Sequence, residues 1–331
     1  MSDIRVSDIG KFGLLSRIAR LLPSARDDDV AVARPPAANY LLLTSDALVE
    51  GVHFLKDRIG AQELGWKLLA INVSDIASMG GEPRHLLLSL ALPPNTNVAW
   101  VESLYAGARD AAEGYGLDVA GRNTSRCPER IVLDVFLLGE VEPELFVRRS
   151  GARPGDALCV TGHLGDAAAG LALLLEPSLT IAPEHTAVVS AAHLTPVARL
   201  REGRVIAAQG ATAMIDISDG LASDVGHLAT SSGVGACIGA DRIPISDAAL
   251  AVAEAAGPDP FEWALSGGED YELLFALPPD SVAELAGAVR NATGTPVSVI
   301  GEARPLEEGV VLVRDGVATA LSAEGWDHFR R

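Results

Sequence analysis

Carboxylate residues recur at the ends of apolar runs in this chain, and that placement limits the folds it can adopt. Four segments share the design: residues 26–29 (RDDD), 44–46 (TSD), 72–75 (NVSD) and 216–220 (DISDG). Each run delivers an acid or a hydroxyl where a buried strand or helix is expected to end. The fold must therefore place several acidic strand and helix ends where the charge of their carboxylates is tolerated.

Asp75 gives the strongest signal among these acids. The helix predicted over residues 61–79 carries an apolar stripe through Leu68, Ile71 and Met79, and Asp75 lies four residues from each of the last two. A carboxylate on a buried face needs a cation, a metal or hydrogen-bond donors, because an unpaired buried charge is costly. A helix N-cap or a buried salt bridge would also account for Asp75 taken alone.

The acids of residues 216–220 have a structural interpretation as well, since Ser218 or Asp219 would serve as the N-cap of a following helix. Four such ends in one chain are better explained as oxygen ligands for hard cations, in practice magnesium bound together with phosphates. Paired carboxylates for glycoside cleavage are an alternative, but the clusters carry hydroxyl neighbours and no aromatic sugar platform is evident.

The order of the apolar runs predicts an α/β (α+β) chain of two domains. Its 331 residues exceed the roughly 250 to 300 at which a single core stops growing. Strands are predicted over residues 40–44, 85–92, 117–120, 131–141 and 157–161 and in a run ending at 217, and helices over 61–79, 98–113, 166–175 and 183–209. Residues 149–156 (RSGARPGD) are polar and rich in Gly and Pro, so we expect domains of residues 1–148 and 149–331.

Composition argues against several classes of protein. A net charge of −18 makes a nucleic-acid partner unfavourable, because such binding depends on Lys and Arg neutralising phosphates. The longest apolar runs are much shorter than the ~20 residues of a membrane span, and the first residues do not resemble a signal peptide. We therefore expect a cytoplasmic protein without a membrane partner. Three separated cysteines support neither a disulfide framework nor a zinc site.

Other motifs narrow the chemistry. The sequence has no GxGxxG and no GxxxxGK[ST] loop, so a nucleotide must be held in another way. It has no GxSxG and no Cys/His pairing, which argues against nucleophilic acyl transfer. Residues 266–272 (SGGEDYE) form either a functional acidic patch or a surface turn. Residues 162–165 (GHLG) offer N–H groups to an anion or simply join a strand to a helix.

Together these segments resemble the thiamine-monophosphate kinase family, within the superfamily of aminoimidazole ribonucleotide synthetase, selenophosphate synthetase and the hydrogenase-maturation dehydratase. The similarity runs through nearly the whole chain, and the ordered set is specific although each motif alone is only suggestive. The matching segments are residues 10–15 (GKFGLL), 28–29 (DD), 44–46 (TSD), 51–54 (GVHF), 72–80 (NVSDIASMG), 216–221 (DISDGL), 266–273 (SGGEDYEL) and 325–329 (GWDHF).

The resemblance implies an aminoimidazole ribonucleotide synthetase-like fold, in which an N-terminal sheet domain dimerises and a C-terminal α/β domain completes the site. It also implies ATP-dependent phosphorylation of thiamine monophosphate to thiamine diphosphate, with several magnesium ions in a cleft formed with the partner subunit of a homodimer. The implied magnesium ligands are Asp29, Thr44, Ser45, Asp46, Asp75, Asn123, Asp216 and Asp219. The implied ATP contacts are Tyr105, Arg122, Asn123, Arg149 and Ser218, and the implied thiamine-phosphate contacts are His53, Glu269 and Trp326.

Charge then sets the chemistry that this resemblance implies. ATP carries about four negative charges and a phosphate monoester about two, so divalent cations must accompany them beside the carboxylates. Magnesium would neutralise the phosphates and align the acceptor oxygen with the γ-phosphorus. Because the monoester oxygen is already ionised at neutral pH, direct in-line transfer needs no general base.

Residues 121–128 (GRNTSRCP) depart from the family pattern GGDTTRGP. Asn123 stands where the family has a magnesium-binding Asp, and Arg122 where it has a Gly that lets backbone approach the nucleotide. Asp27 and Lys11 replace a usual Gly and a usual Glu nearer the N-terminus. Asn still offers a carbonyl oxygen but no charge. The alternatives are a nucleotide-binding homologue of the same fold with impaired or altered catalysis, and a non-catalytic structural dimer whose acids keep it in solution.

Overall fold

The computed structural model describes residues 31–33 and 39–321, which form two β-sheets with helices packed on them. The first sheet takes its strands from the chain up to Val141, and the second takes its strands from Ala157 onward. None of the described helices is long and apolar enough to cross a lipid bilayer. The predicted α/β (α+β) mixture of helices and sheets is confirmed.

The N-terminal sheet has five strands in the order β1-β2-β5-β3-β4. The strands are β1 (Ala31–Ala33), β2 (Tyr40–Val49), β3 (Glu82–Leu92), β4 (Asp118–Arg126) and β5 (Val132–Val141). The β3–β4 pair is parallel, and the other neighbouring pairs are antiparallel. Helix α1 (Ala61–Ser78) lies on this sheet, and helix α2 (Val98–Tyr115) packs against α1.

One face of this sheet is buried under the helices, while the other is open in the described part of the chain. Along β5, Leu133, Val135 and Leu137 are fully buried, whereas Phe136 between them is 43% exposed. A strand produces this alternation when only one of its faces meets a core. Leu87 of β3 pairs with Phe136 and is 50% exposed, so the open face has an apolar centre.

The C-terminal sheet has seven strands in the order β12-β11-β8-β10-β6-β9-β7. Its strands are β6 (Ala157–Thr161), β7 (Ala213–Asp216), β8 (Gly235–Gly239), β9 (Leu273–Leu277), β10 (Val297–Arg304), β11 (Val310–Arg314) and β12 (Val317–Ala320). The accompanying helices are α3 (Asp166–Leu175), α4 (Pro183–Leu194), α5 (Leu200–Ala208), α6 (Leu221–Ser232), α7 (Asp247–Ala256), α8 (Pro260–Ser266) and α9 (Val282–Thr293). Strands β6 and β9 are buried at every position, so the centre of this sheet is covered on both faces.

The structure corrects some predicted elements. The helical stretch expected over residues 183–209 is two helices, α4 and α5, with Pro196 between them, because the proline ring and its missing N–H interrupt a helix. The strand expected over residues 117–120 runs on to Arg126, since β4 pairs along most of β3. Strand β2 likewise continues to Val49. The other predicted boundaries agree to within about three residues.

Helix α1 also joins the two halves of the chain. Ser74 of α1 donates a hydrogen bond of 2.6 Å to Asp216 at the end of β7. The indole N–H of Trp66 donates to the Pro196 carbonyl at 2.8 Å. The helix is buried on most sides, as expected for a helix that lies between a sheet and a second layer of helices. Both halves therefore meet through α1.

Gly65 sets the close approach of α1 to α2. A Cβ at this position would lie 2.0 Å from the Leu104 carbonyl oxygen and 2.8 Å from the Ala108 nitrogen. We predict that Gly65→Ala lowers the free energy of unfolding by about 2–3 kcal/mol, because the two helices must separate. Urea or thermal unfolding measures this change.

Gly287 of α9 is the matched control for this substitution. Apart from the backbone of its own helix and its chain neighbours, no atom of the described chain lies within 4 Å of a Cβ built there. Gly287→Ala should therefore stabilise the protein by about 0.5–1 kcal/mol through helix propensity alone. Equal effects at the two glycines would contradict the packing explanation.

Candidate functional site

A cavity of about 410 Å³ lies between the two halves of the chain and is lined by both. Its acidic wall is formed by Asp46, Asp75, Asp216 and Asp219. Its apolar wall includes Leu48, Val52, Phe54, Ile59, Leu171 and Leu174. Acids from β2, from α1 and from the end of β7 with its following loop thus meet in one place. The structure brings these four predicted residues together.

Helix α1 presents Lys67, Ile71 and Asp75 to the cavity, at the four-residue spacing that places side chains on one helical face. Asp75 accepts a hydrogen bond of 2.5 Å from the Thr44 hydroxyl. It lies in the last turn of α1, so it is not an N-cap. A carboxylate there meets the negative end of the helix dipole, which adds to its requirement for a cation.

Hydroxyl and amide groups hold the neighbouring acids. Asp216 is 3% exposed and accepts the hydrogen bond of Ser74. The backbone N–H of Asp46 donates to the side-chain oxygen of Asn72 at 3.0 Å. Residues 72–75 therefore have two roles. They provide the Asp75 carboxylate, and through Asn72 and Ser74 they hold the strand that carries Asp46 and the strand end that carries Asp216.

Asp224 holds the loop that carries Ser218 and Asp219. Its carboxylate is 2% exposed and accepts the backbone N–H groups of Ser218 at 3.1 Å and of Asp219 at 3.3 Å. The N-cap of α6 is Gly220, so neither Ser218 nor Asp219 has the capping role that the sequence allowed. Ligand atoms of Asp219, Asp224 and His227 also lie within 4.8 Å of one another.

The acidic segment of residues 266–272 is a partly buried junction between elements rather than a surface turn. Asp270 accepts the N–H of Gly165, in the predicted anion-binding turn, with both carboxylate oxygens at 3.0 Å. Burial raises the pKa of Asp270 well above its ordinary value, although this N–H group opposes the change. Glu272 receives Arg199 through two hydrogen bonds of 2.5 and 2.7 Å. The turn before α3 therefore binds a carboxyl group that the chain itself supplies.

Glu269 and Tyr271 have left-handed φ angles of 61° and 51°, which are uncommon for residues with a side chain. Glu269 lies opposite Lys67, with 2.7 Å between Oε1 and Nζ, and Tyr271 lines the cavity. Burial first, and then the surrounding carboxylates, raise the pKa of the Tyr271 hydroxyl well above its ordinary value. Tyr271 therefore stays protonated at neutral pH and can donate a hydrogen bond.

His53 lines the same cavity from the turn that follows β2. Its Nδ1 accepts the backbone N–H of Val49 at 3.0 Å. When the ring is neutral, this contact places its proton on Nε2. The predicted thiamine-phosphate contacts His53 and Glu269 thus share one cavity.

Ser45 and Asn123 lie on the open face of the first sheet, away from the cavity. The Ser45 hydroxyl donates to Asp134 at 3.1 Å, and the Asn123 amide donates to the Ser89 hydroxyl at 3.4 Å. Ser89 pairs with Asp134 on one side and with Asn123 on the other, so these polar groups form a row across the sheet. Alternation along β2 explains why Thr44 faces the helices while Ser45 does not.

Tyr105 and Arg122 line a second pocket, of about 530 Å³, on the helix side of β3 and β4. Arg122 and Asn123 are consecutive on β4, so their side chains point to opposite faces of the sheet. Arg149 lies between the two sheets in sequence, and its carbonyl oxygen accepts a 3.3 Å hydrogen bond from Ser232 of α6. The predicted ATP contacts therefore do not share one pocket within the described part of a single chain.

The segments of residues 10–15, 26–29 and 325–329, and with them Lys11, Asp27, Asp29 and Trp326, lie outside the described residues. The sequence analysis also did not identify Lys67, Tyr271 and Asp224. Lys67 stands two helical turns before Asp75, so the helical period alone could have found it. The contact of Asp224 is to backbone N–H groups earlier in the chain, and no periodic signal predicts it.

Comparison with known proteins covers both halves of the chain. Residues 27–141 match the family AIR synthase related protein, N-terminal domain, and residues 153–314 match AIR synthase related protein, C-terminal domain. A thiamine-monophosphate kinase of Aquifex aeolicus is 39% identical over 326 residues, which are 98% of this chain and 100% of that one. The thiamine-monophosphate kinase of Salmonella typhimurium is 37% identical over 328 residues, which are 97% and 98% of the two chains.

Solved structures agree with the sequence comparison. A structure of AaThiL complexed with AMPPCP and TMP superposes with a TM-score of 0.88 at 39% identity, and covers 99% of this chain and 100% of that one. The likeness therefore extends over both sheets. The predicted two-domain fold related to AIR synthase is confirmed. With nearly its whole length matched, this chain belongs to the thiamine-monophosphate kinase family.

Proposed function

We propose that this chain transfers the γ-phosphate of ATP to thiamine monophosphate and so makes thiamine diphosphate. The observation that carries the proposal is a single cavity whose lining combines four aspartates with a set of apolar side chains. Such a cavity suits a ligand with phosphate at one end and an aromatic body at the other. The names of the relatives, and the solved structure with AMPPCP and TMP, support this function.

The donor set fits magnesium. The proposed ligands are Asp29, Thr44, Ser45, Asp46, Asp75, Asn123, Asp216 and Asp219. Carboxylate, hydroxyl and amide oxygens are the hard ligands that this ion prefers. Asp75, at the negative end of the α1 dipole, has the strongest electrostatic reason to accept a cation. Bound magnesium would neutralise phosphate oxygens and so reduce the repulsion between ATP and its acceptor.

The chain's own groups then hold the reactants rather than move protons. The acceptor phosphate is ionised at neutral pH, so its oxygen attacks the γ-phosphorus without a general base. A new P–O bond forms in line while the bond from the γ-phosphorus to the bridging oxygen breaks, and ADP leaves. Tyr271 keeps an O–H donor beside the acidic wall. Ser218 and Arg149 are the proposed ATP contacts of the C-terminal half.

His53, Glu269 and Trp326 form the proposed pocket for the thiamine body. His53 and Glu269 line the cavity that also has the apolar wall. An apolar lining with a few convergent polar groups is typical of sites for aromatic ligands. The Trp326 ring would stack on the cationic thiazolium.

We also propose that the open face of the first sheet is the interface of a homodimer. Leu87, Phe136 and Leu138 stand together on that face, and contiguous exposed apolar groups mark surfaces that bind another surface. A partner sheet placed there would cover Ser45 and Asn123 as well. Within one chain, Tyr105 and Arg122 line one pocket while Asn123 faces the other side of the sheet, so the partner subunit would complete the ATP site.

The proposal includes a division into domains of residues 1–148 and 149–331. This boundary lies between β5, which ends at Val141, and β6, which begins at Ala157. Each part has its own sheet, and α1 of the first part contacts the second. A cytoplasmic location belongs to the same proposal, because the reaction draws on the ATP of that compartment.

The direct test is an assay for thiamine diphosphate with purified protein, thiamine monophosphate, ATP and magnesium. The proposal predicts ADP and thiamine diphosphate in equal amounts, and no product when magnesium is chelated. Nucleotide binding without thiamine diphosphate would instead support the alternative of a homologue with altered catalysis.

Replacing Asp75 tests the acidic wall. Asp75→Asn keeps the side-chain shape but removes the negative charge that would attract the cations accompanying the phosphates. We predict that kcat falls by about three orders of magnitude, because losing a metal ligand removes several kcal/mol of transition-state stabilisation. The melting temperature without magnesium should not fall, because one repulsive charge is gone. Exposed Asp280→Asn is the control, and an Asp75→Asn enzyme with normal kcat would contradict the assignment.

The side chains of Arg122 and Asn123 lie on opposite faces of β4, so substitutions at the two positions should change different kinetic parameters. Asn123→Asp adds a carboxylate to the polar row on the open face. We expect kcat to rise by about tenfold, which corresponds to roughly 1.4 kcal/mol of transition-state stabilisation. The magnesium concentration that gives the half-maximal rate should fall. Arg122→Gly changes the pocket that Tyr105 lines, and should alter the KM for ATP instead. Steady-state kinetics over a magnesium series measure both. Identical magnesium dependence in Asn123→Asp and wild type would show that this position binds no catalytic metal.

The homodimer is tested by placing a charge on the open face. Phe136→Glu should give a monomer by light scattering, because burying an unpaired carboxylate in an apolar interface is costly. Val317→Glu is the control, since Val317 is 62% exposed on the other sheet. A wild-type protein that is monomeric at micromolar concentration, or a Phe136→Glu protein that stays dimeric, would contradict this interface.

A further inference from the structure

Lys67 is almost completely buried and yet lines the cavity. Its side chain is 1% exposed, and its Nζ lies 2.7 Å from Oε1 of Glu269. The ammonium group also donates to the backbone carbonyl of His193 at 3.0 Å. Among the described residues that line the cavity, Lys67 is the one Lys or Arg. Lysines are rarely buried to this extent unless they are paired, and Glu269 is the acidic partner here.

Glu269 reaches Lys67 through a constrained backbone. Its φ of 61° is uncommon for a residue with a side chain. Gly268 before it has a φ of 68°, and a Cβ there would lie 2.6 Å from the Ser218 carbonyl oxygen. The loop thus holds the Glu269 carboxylate at the cavity wall, where its side chain is 29% exposed. Strained backbone of this kind persists where the surrounding structure enforces it, commonly at ligand sites.

Lys67 is the main positive charge that faces Glu269. Burial by itself raises the pKa of Glu269, but Lys67 and then His193 and His53 outweigh it, and the carboxyl pKa lies below its ordinary value. Burial, with Lys67 second, lowers the pKa of His193 to about 4, so that ring is neutral at pH 7. Tyr271, one of the titratable neighbours in the same loop, is neutral as well. Removal of Lys67 would therefore leave burial as the dominant influence on Glu269.

We propose that Lys67 is a positioning and specificity-determining residue, which holds Glu269 as a charge-balanced acceptor for an N–H group on the heteroaromatic part of the substrate. The proposal rests on the proposed function, in which thiamine monophosphate occupies the cavity. An isolated carboxylate attracts any cation, whereas one already paired with an ammonium group discriminates by hydrogen-bond geometry. The exocyclic amine of the thiamine pyrimidine is a donor of this class. Lys67 thus acts on the substrate through Glu269.

The test compares dissociation constants for thiamine monophosphate, measured by calorimetry with magnesium present, in Lys67→Met and wild type. Without the ammonium group the Glu269 pKa rises, so the carboxyl takes up a proton as pH falls. We expect Lys67→Met to bind about tenfold more weakly near pH 6.5, as for loss of a charged hydrogen bond. The ratio of variant to wild-type constants should fall toward unity near about pH 9. Protonation of the ligand's own phosphate affects both dissociation constants equally, so it cancels in this ratio.

Two further variants complete the experiment. The double variant Lys67→Met with Glu269→Gln lacks both the titrating carboxyl and the unpaired buried charge, so it should fold even if Lys67→Met alone does not. The ratio of its dissociation constant to that of wild type should not change with pH. Lys56→Met is the matched control, because Lys56 lies over the Trp100 ring and does not line the cavity. It should bind like wild type at every pH.

Two outcomes overturn the proposal: a Lys67→Met ratio of unity at every pH, or a pH dependence that persists in the double variant. Formation of thiamine diphosphate by the wild-type protein is measured in the same preparations. Absent turnover in wild type counts against the proposed function alone, because the binding ratios remain measurable.

Discussion

Repulsion among carboxylates is the constraint on which the rest of this structure depends. Asp46, Asp75, Asp216 and Asp219 meet in one cavity, and acids gathered in partly buried surroundings cannot all stay ionised without donors or cations. Hydroxyl groups on neighbouring elements meet part of this requirement, as the bond from Thr44 to Asp75 illustrates. Under the proposed function, divalent cations and the phosphates they accompany would supply the remainder, and the charge of the site would be balanced once these ligands are bound.

Helix α1 makes this convergence possible. Its glycine contact with α2 and its packing on the first sheet fix its axis, while its last turn reaches the second sheet through Ser74 and Asp216. The same face that carries Asp75 carries Lys67 two turns earlier, so one helix meets both the acidic wall and Glu269. The two halves of the chain therefore share a site whose polarity changes along a single helix.

Much of this arrangement could be predicted from the sequence, because it follows from periodic patterns. The apolar stripe of residues 61–79 predicted α1 and the position of Asp75 on its buried face, and the ordered motifs predicted the family and its fold. The sequence could not show which face of a strand each polar side chain takes, as Arg122 and Asn123 illustrate. Nor could it show that Asp224 supports its loop through backbone N–H groups, because such contacts depend on the folded path of the chain.

The central claim is that the acidic wall binds divalent cations, and the melting temperature of the protein without nucleotide tests it most directly. A ligand that binds only the folded state stabilises it by mass action, and non-specific screening does not depend on which cation supplies the ionic strength. We predict that magnesium chloride raises the melting temperature by several degrees more than sodium chloride at equal ionic strength, and that Asp75→Asn removes most of the difference. Equal melting temperatures in the two salts would contradict the claim.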